Sequence, residues 1–147
     1  MAVDTGTLSS FPGVTSGFPY GMAVDTTTNR AVVPTICDGL AGIYDLGKKT
    51  GIAVNPNGST NIYPAVDETR GLIVMAQVVP GDFGRNNNAM SSAVVMDEHG
   101  NVLANIEQFF FFNTFLTIGA NNLQLNPATR SAWTLGPGQQ QLEPFTY

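Results

Sequence analysis

The sequence is poor in charged residues, which make up 12% of its 147 residues, about half of the roughly 25% usual in globular proteins. Basic residues are the scarcest, since six Lys and Arg stand against eleven Asp and Glu and leave a net charge of −5. Apart from the pair Lys48 and Lys49, the basic residues are scattered, so no cationic patch exists to face a phosphate backbone. These features disfavour nucleic-acid binding, and we expect no nucleic-acid partner.

Cysteine and histidine are almost absent, with Cys37 and His99 the single examples of each. One cysteine excludes an intrachain disulfide, and the pair is too few for most zinc sites. We expect Cys37, in the apolar run AVVPTIC, to be a small buried hydrophobe, and His99 to be a turn residue. Phosphate-loop, dinucleotide, metalloprotease and nucleophile-elbow motifs are also missing, so the sequence carries no catalytic signature.

Long hydrophobic runs are missing as well. The longest, at residues 109–112, is far too short to cross a bilayer, and the first ten residues do not resemble a leader. We therefore expect a cytoplasmic protein without membrane contact, provided the sequence is not a piece of a longer one. What the chain does have is 16 glycines and 9 prolines spread along its length, which predicts many short elements joined by turns.

Three segments of the sequence resemble one another. They are PYGMAVDTTTNRAVVPT at 19–35, IYPAVDETRGLIVMAQ at 62–77 and NNLQLNPATRSAWTLG at 121–136. Each has an apolar strand that ends in Asp or Asn, a turn with Thr and Arg, and a second apolar strand. Asp and Asn suit that place because their side chains accept hydrogen bonds from the backbone two residues on. The pattern predicts three β-hairpins.

Two sets of residues occupy matching places in the three segments. The hairpin anchors are Asp25, Asp67 and Asn126. The arginines interpreted as equivalent are Arg30, Arg70 and Arg130.

Further strands follow each hairpin. Third strands are predicted at 41–46, 91–97 and 140–147, and fourth strands at 51–54 and 102–106. Four strands in roughly 40 to 45 residues is the spacing of a β-propeller blade.

The predicted blades cover the whole chain. Blade one spans 18–60, blade two 61–113 and blade three 114–147. The third unit lacks a fourth strand, and residues 1–11 are in register to supply an outer strand for the last blade.

The repeats resemble the NHL and YVTN class of propeller repeats. PYGMAVDTTTNRAVV followed by AGIYDL matches that pattern of a proline and a glycine, an Ala-Val-Asp-like strand, a turn and two aliphatic strands. The same repeat pattern is resembled by two further stretches, SSAVVMDEHGNVLANI and LQLNPATRSAWTL. The resemblance implies an all-β propeller of three four-stranded blades and is nearly silent on function.

Three blades are too few for a closed ring, which typically has four to eight. We expect a head-to-tail homodimer that forms a six-bladed ring, in which the chain is its own partner. The expected contact residues are Leu8, Phe11, Phe145 and Tyr147. Two alternatives stay open, a fragment completed by other blades and a self-contained sandwich or barrel of about eleven strands.

The leading function hypothesis is a non-catalytic binding or scaffold module without a cofactor. The alternative is a calcium-dependent propeller hydrolase or lactonase, for which oxygen ligands would come from Asp25, Asp67, Glu68 and Asn126. Turn capping explains these residues more simply. A third alternative is a fragment or ancestral-type repeat protein that has no specific ligand.

Other polar and aromatic residues have simple structural interpretations. Asp38 and the loop at 80–90 are expected to be solvated. The phenylalanines at 109–112 are expected in a buried outer strand, and Trp133 is expected to pack in the core.

Overall fold

The computed structural model describes residues 13–36, 38–56, 60–78, 91–107, 123–136 and 141–147. Every regular element in these ranges is a β-strand, and every strand pairing is antiparallel. The prediction of an all-β chain is confirmed. The described residues contain no helix with the length and hydrophobicity to span a bilayer.

The first sheet has five strand segments. Its order is β1-β3-β4-β5, and β2 also pairs with β3. The strands are β1 (Phe18–Pro19), β2 (Ala23–Asp25), β3 (Arg30–Ile36), β4 (Ala41–Asp45) and β5 (Thr50–Val54).

The second sheet is a four-stranded meander in the order β6-β7-β8-β9. Its strands are β6 (Thr60–Asp67), β7 (Leu72–Val78), β8 (Ser91–Asp97) and β9 (Val102–Glu107).

The third sheet has the order β10-β11-β12 among the described residues. Its strands are β10 (Leu123–Asn126), β11 (Ser131–Gly136) and β12 (Gln141–Thr146). The predicted outer strand at 1–11 lies outside the described residues, as do Cys37, the loop at 80–90 and the phenylalanines at 109–112. Where strands can be compared, they begin and end within a few residues of the predicted positions.

The first strand of the first sheet, formed by β1 and β2, and the first strand of the second sheet, β6, are interrupted at the same place. Gly21 (φ 92°) separates β1 from β2, and Tyr63 (φ 48°) makes a bulge inside β6. Both precede the Asp that ends the strand by four residues. Glycine adopts this left-handed conformation freely, whereas tyrosine does so at an energetic cost. Packing overrides that cost at Tyr63, which is buried and contacts the Tyr20 ring edge-on at 5.6 Å between ring centroids.

The core consists of two layers, one on each side of the second sheet. Alternate residues of a strand point to opposite faces, so Ile73 and Met75 face the first sheet while Val74 and Ala76 face the third. The layer between the first and second sheets is formed by Val32, Ala41, Ile43, Ile73, Met75, Val94 and Met96. The layer between the second and third sheets is formed by Tyr63, Ala65, Val74, Ala76, Ala93, Val95, Leu123, Ala132, Phe145 and Tyr147.

The sheets are therefore stacked in chain order, each on the next. This succession of meanders differs from the two facing sheets of a sandwich.

Candidate functional site

The three hairpin anchors head their turns through side-chain hydrogen bonds. Asp25 Oδ1 accepts from the Thr27 amide at 2.8 Å, the Thr27 hydroxyl at 2.6 Å and the Thr28 amide at 3.0 Å. Asn126 Oδ1 accepts from the Ala128 amide at 3.2 Å. Each anchor thus closes a tight turn.

Asp67 heads the second turn and is the most deeply buried of the three, with no exposed surface. Its Oδ1 accepts from the Thr69 amide at 3.0 Å. Its Oδ2 accepts from Arg70 Nη1 and from the Tyr147 hydroxyl, each at 3.0 Å. Tyr147 directly follows β12 of the third sheet, so the Asp67 carboxylate connects the second sheet to the third. It is a buried charge with a full set of donors.

These contacts set the pKa values of the pair. Burial opposes ionisation of Asp67, but the hydrogen bonds from Thr69, Arg70 and Tyr147 outweigh it and hold the pKa of its carboxyl below the ordinary value. Burial, and then the hydrogen bond to Asp67, raises the pKa of Tyr147 to about 12. The phenol therefore remains a neutral donor to an ionised acceptor at physiological pH.

Glu68, the fourth residue of the calcium hypothesis, also links two turns. Its Oε1 accepts from the Thr26 amide at 2.7 Å and from the Thr26 hydroxyl at 2.9 Å. The four residues of that hypothesis thus head or connect three separate hairpin turns. No group of three or more His, Cys, Asp or Glu in the described ranges is arranged to hold a metal ion.

The arginines matched in the sequence do not occupy equivalent positions. Arg30 pairs directly opposite Asp25, whereas the residues opposite Asp67 and Asn126 are Leu72 and Ser131. Arg70 and Arg130 lie inside their turns, three and four residues after the anchor. The interpretation of these arginines as one repeated feature was therefore wrong.

The positions that do recur are left-handed residues four after each anchor. They are Asn29 (φ 56°), Gly71 (φ 64°) and Arg130 (φ 53°).

Arg30 joins the first sheet to the second. Its Nη1 donates to the Glu98 carbonyl at 2.8 Å and lies 3.3 Å from Glu98 Oε2. Next to this ion pair is an open groove of about 170 Å³, lined by Arg30, Ile43, Asp45, Thr50, Gly51, Ile52, Glu98 and His99. His99 is in the turn between β8 and β9, where its amide donates to Asp97 Oδ1.

Asp38 is a hub of hydrogen bonds. Its Oδ2 accepts from the amides of Ser16 and Gly17, and its Oδ1 accepts from the Thr35 hydroxyl and the Leu40 amide. Burial works against ionisation, but these donors hold the pKa of Asp38 below its ordinary value. Asp38 therefore fastens the segment before β1 to the loop between β3 and β4, in place of the solvated role expected from the sequence.

The residues expected at a contact between copies fall into two groups. Leu8 and Phe11 lie outside the described residues. Phe145 and Tyr147 are buried, 4% and 6% exposed, between the second and third sheets of their own chain. They are therefore occupied within the chain and do not lie on its outer surface.

Trp133 does lie on the outer surface of the third sheet. Its side chain points away from the core layer formed by its neighbour Ala132, and 40% of the residue is exposed. Core packing within the chain, expected from the sequence, is wrong for this residue. The alternation of Ala132 and Trp133 fits two opposite faces, but the sequence does not reveal that no other described sheet packs on one of them.

Comparison with known proteins gives a fold and no family. No family model matches the sequence, and no curated protein matches it. Among solved structures, a chain from a crystal structure of a nidogen/laminin complex matches with a TM-score of 0.57 and 14% identity. The match covers 87% of this chain and 44% of the other, so the chain spans less than half of that structure.

The matched chain has a propeller-type fold of the YWTD class. The likeness therefore shows a propeller-like fold for this chain. It does not distinguish NHL repeats from other propeller repeats.

Proposed function

We propose that the chain is a three-bladed half of a six-bladed propeller, completed by a second copy, and that the ring is a non-catalytic binding or scaffold module. The observation that carries the proposal is the succession of three stacked antiparallel sheets, each in the strand order of a propeller blade. Two copies bring the number to six, within the range that closes.

The propeller-like neighbour supports a binding role by analogy of fold alone. The matched chain comes from a nidogen/laminin complex, and propellers host many unrelated functions. In the proposed ring, a ligand binds at the central channel or on the loop-bearing face. The calcium-dependent hydrolase remains the second hypothesis, and no contact among the described residues favours it.

The test is the molar mass of the purified protein, measured by light scattering after size exclusion. We expect twice the chain's 15.6 kDa. A stable monomer over the whole concentration range would refute completion by a second copy. Dialysis against a chelator distinguishes the calcium-dependent hydrolase from the non-catalytic module. A calcium-dependent ring would release bound metal, which atomic absorption detects.

A further inference from the structure

The outer faces of the first and third sheets have no other described sheet packed against them, although every other sheet face is part of a core layer. The two junctions that do exist show which positions a junction uses. Counting from the anchors Asp25, Asp67 and Asn126 makes the three sheets comparable, because the anchors have the same place in each hairpin.

The earlier sheet of each junction buries the seventh residue after its anchor. These residues are Val32 and Val74, which are 1% and 0% exposed. It also buries the residue two before the end of its third strand, Ile43 in the first sheet and Val95 in the second. The same two positions thus face the following sheet at both junctions.

The later sheet of each junction presents the complementary positions. The sixth residue after the anchor is buried, namely Ile73 and Ala132. The residue one before the end of the third strand is buried too, namely Met96 and Phe145. The two junctions are therefore equivalent position by position, although only the valine seven residues after the anchor is the same side chain in both.

The third sheet carries junction positions that are not covered. Seven residues after Asn126 is Trp133, 40% exposed where the other sheets bury a valine. Two residues before Thr146, the end of β12, is Pro144, which is also exposed. A large aromatic residue and a proline thus form a bulky apolar surface at the place where a following sheet would pack.

On the first sheet the two matching positions are Ala31, which is 4% exposed, and Tyr44, which is half-buried. Val24, which corresponds to Val66 and Leu125 beside the anchor, is 39% exposed. Tyr44 corresponds to Met96, and its ring lies over Gly42 and Gly51, where an added Cβ would come within 2.7 Å of the ring. Val14 also reaches this face, since its Cγ1 would be 3.2 Å from a Cβ at Gly51. The face thus has small residues beneath Tyr44 and Val14, with Val24 exposed beside them.

We propose that the Trp133 face of one copy packs on the Val24–Tyr44 face of a second copy, head to tail. This inference rests on the proposed ring and specifies its contact. A second copy is the occupant because one chain carries both complementary halves of a junction that it already forms twice internally. A heterologous contact of this kind closes when the second copy returns it.

The edge of the junction follows the same rule. The residue just after the third strand contacts the anchor hairpin of the preceding sheet: Tyr147 donates to Asp67, and the Glu98 carbonyl accepts from Arg30. In the first sheet this residue is Leu46. In the dimer, Leu46 of one copy lies against the Asn126 turn of the other.

The test uses charged substitutions at exposed residues, so that the fold is kept. Trp133→Glu and Val24→Arg each place a charge in the contact, and we expect each to raise the dimer dissociation constant by at least about tenfold. The matched control is Leu103→Glu on β9, which is 57% exposed and outside the contact; its dissociation constant should match the wild type. Circular dichroism verifies that all three variants are folded.

Mixing the two variants tests the direction of packing. A mixed dimer has one unaltered junction and one in which the opposite charges face each other, so the mixture should regain a dimer that neither variant forms alone. If Trp133→Glu disrupts the dimer and Val24→Arg does not, a symmetric Trp133 contact is indicated and the inference is wrong. If the wild type dimerises and both variants dimerise equally well, the ring proposal stands and this contact is refuted, whereas a monomeric wild type refutes both.

Discussion

Aspartate and asparagine side chains close five hairpin turns in the described chain, at Asp25, Asp45, Asp67, Asp97 and Asn126. All five accept backbone amides of their own turn through Oδ1, but they differ in what else they contact. Asp45 is partly exposed and forms an ion pair with Lys48, whereas Asp67 is fully buried between two sheets. The same residue type therefore has a local role in one turn and a long-range role in another.

Asp67→Asn should destabilise the protein by about 2–4 kcal/mol, since the amide loses the charge that Arg70 and Tyr147 satisfy and introduces an NH₂ group toward those donors. Asp45→Asn, in an equivalent but exposed turn, serves as the control and should cause a much smaller loss. Urea unfolding followed by circular dichroism measures both. Equal losses in the two variants would show that Asp67 stabilises its turn alone.

The pKa values of Asp67 and Tyr147 determine how the free energy of unfolding changes with pH. The pKa of Asp67 is lower in the folded chain than its ordinary value of 3.8, so its stabilisation is complete above that value and is lost as the pH falls through the folded pKa. Tyr147, with a pKa of about 12 against an ordinary 10.0, adds stability below pH 10 that is lost between 10 and 12. We expect the Asp67→Asn variant to lose less stability than the wild type when unfolding is compared at pH 7 and pH 3.

The first strands of the first two sheets have the same backbone conformation at one position, although different residues occupy it. Gly21 and Tyr63 hold the same left-handed position, one at little cost and the other through the burial of its ring. Gly21→Ala should destabilise the chain by about 1–2 kcal/mol, because the φ of 92° disfavours any Cβ and Pro64 Cδ would be 3.1 Å away.

Gly13→Ala is the matched control for this prediction. A Cβ at Gly13 would have its nearest neighbour at 3.9 Å, so the urea midpoint should stay close to that of the wild type. A Gly21→Ala midpoint equal to the control would mean that the strand interruption tolerates an L-residue without strain.

Much of the strand arrangement was predictable, because apolar runs bounded by Asx-headed turns specify hairpins locally. The non-equivalence of the arginines was not, since Arg30, Arg70 and Arg130 follow their anchors by five, three and four residues and only the strand register separates them. The left-handed Tyr63 was not predictable either, because tyrosine intrinsically disfavours that conformation and tertiary packing decides it.

The candidate site was predicted less well than the fold. The anchors Asp25, Asp67 and Asn126 were found from their turn chemistry. The hydrogen bond between Asp67 and Tyr147 joins residues far apart in sequence, and no local pattern indicates it. For Trp133, alternation shows that the residue faces one side of its strand, but the presence or absence of a neighbouring sheet is a property of the whole stack.

For the whole molecule, the proposed ring predicts that unfolding depends on protein concentration, because two junctions between copies would hold it together. The melting temperature of the wild type should rise with protein concentration, since association stabilises the folded state by mass action. For Trp133→Glu it should be independent of concentration. Differential scanning calorimetry over a hundredfold range of concentration measures both, and a wild-type melting temperature that does not change would contradict the dimer.

Leu46, Glu98 and Tyr147 occupy one and the same place after the third strand of their sheets, yet one is a hydrocarbon, one a carboxylate and one a phenol. The partner across each junction differs to match, since Glu98 meets an arginine and Tyr147 meets a carboxylate. The three repeats are therefore not interchangeable. If the order of the repeats in the chain were changed, every hairpin would still form, but the residues that meet at each junction would no longer match. Single residues at the junctions therefore encode the order of the sheets.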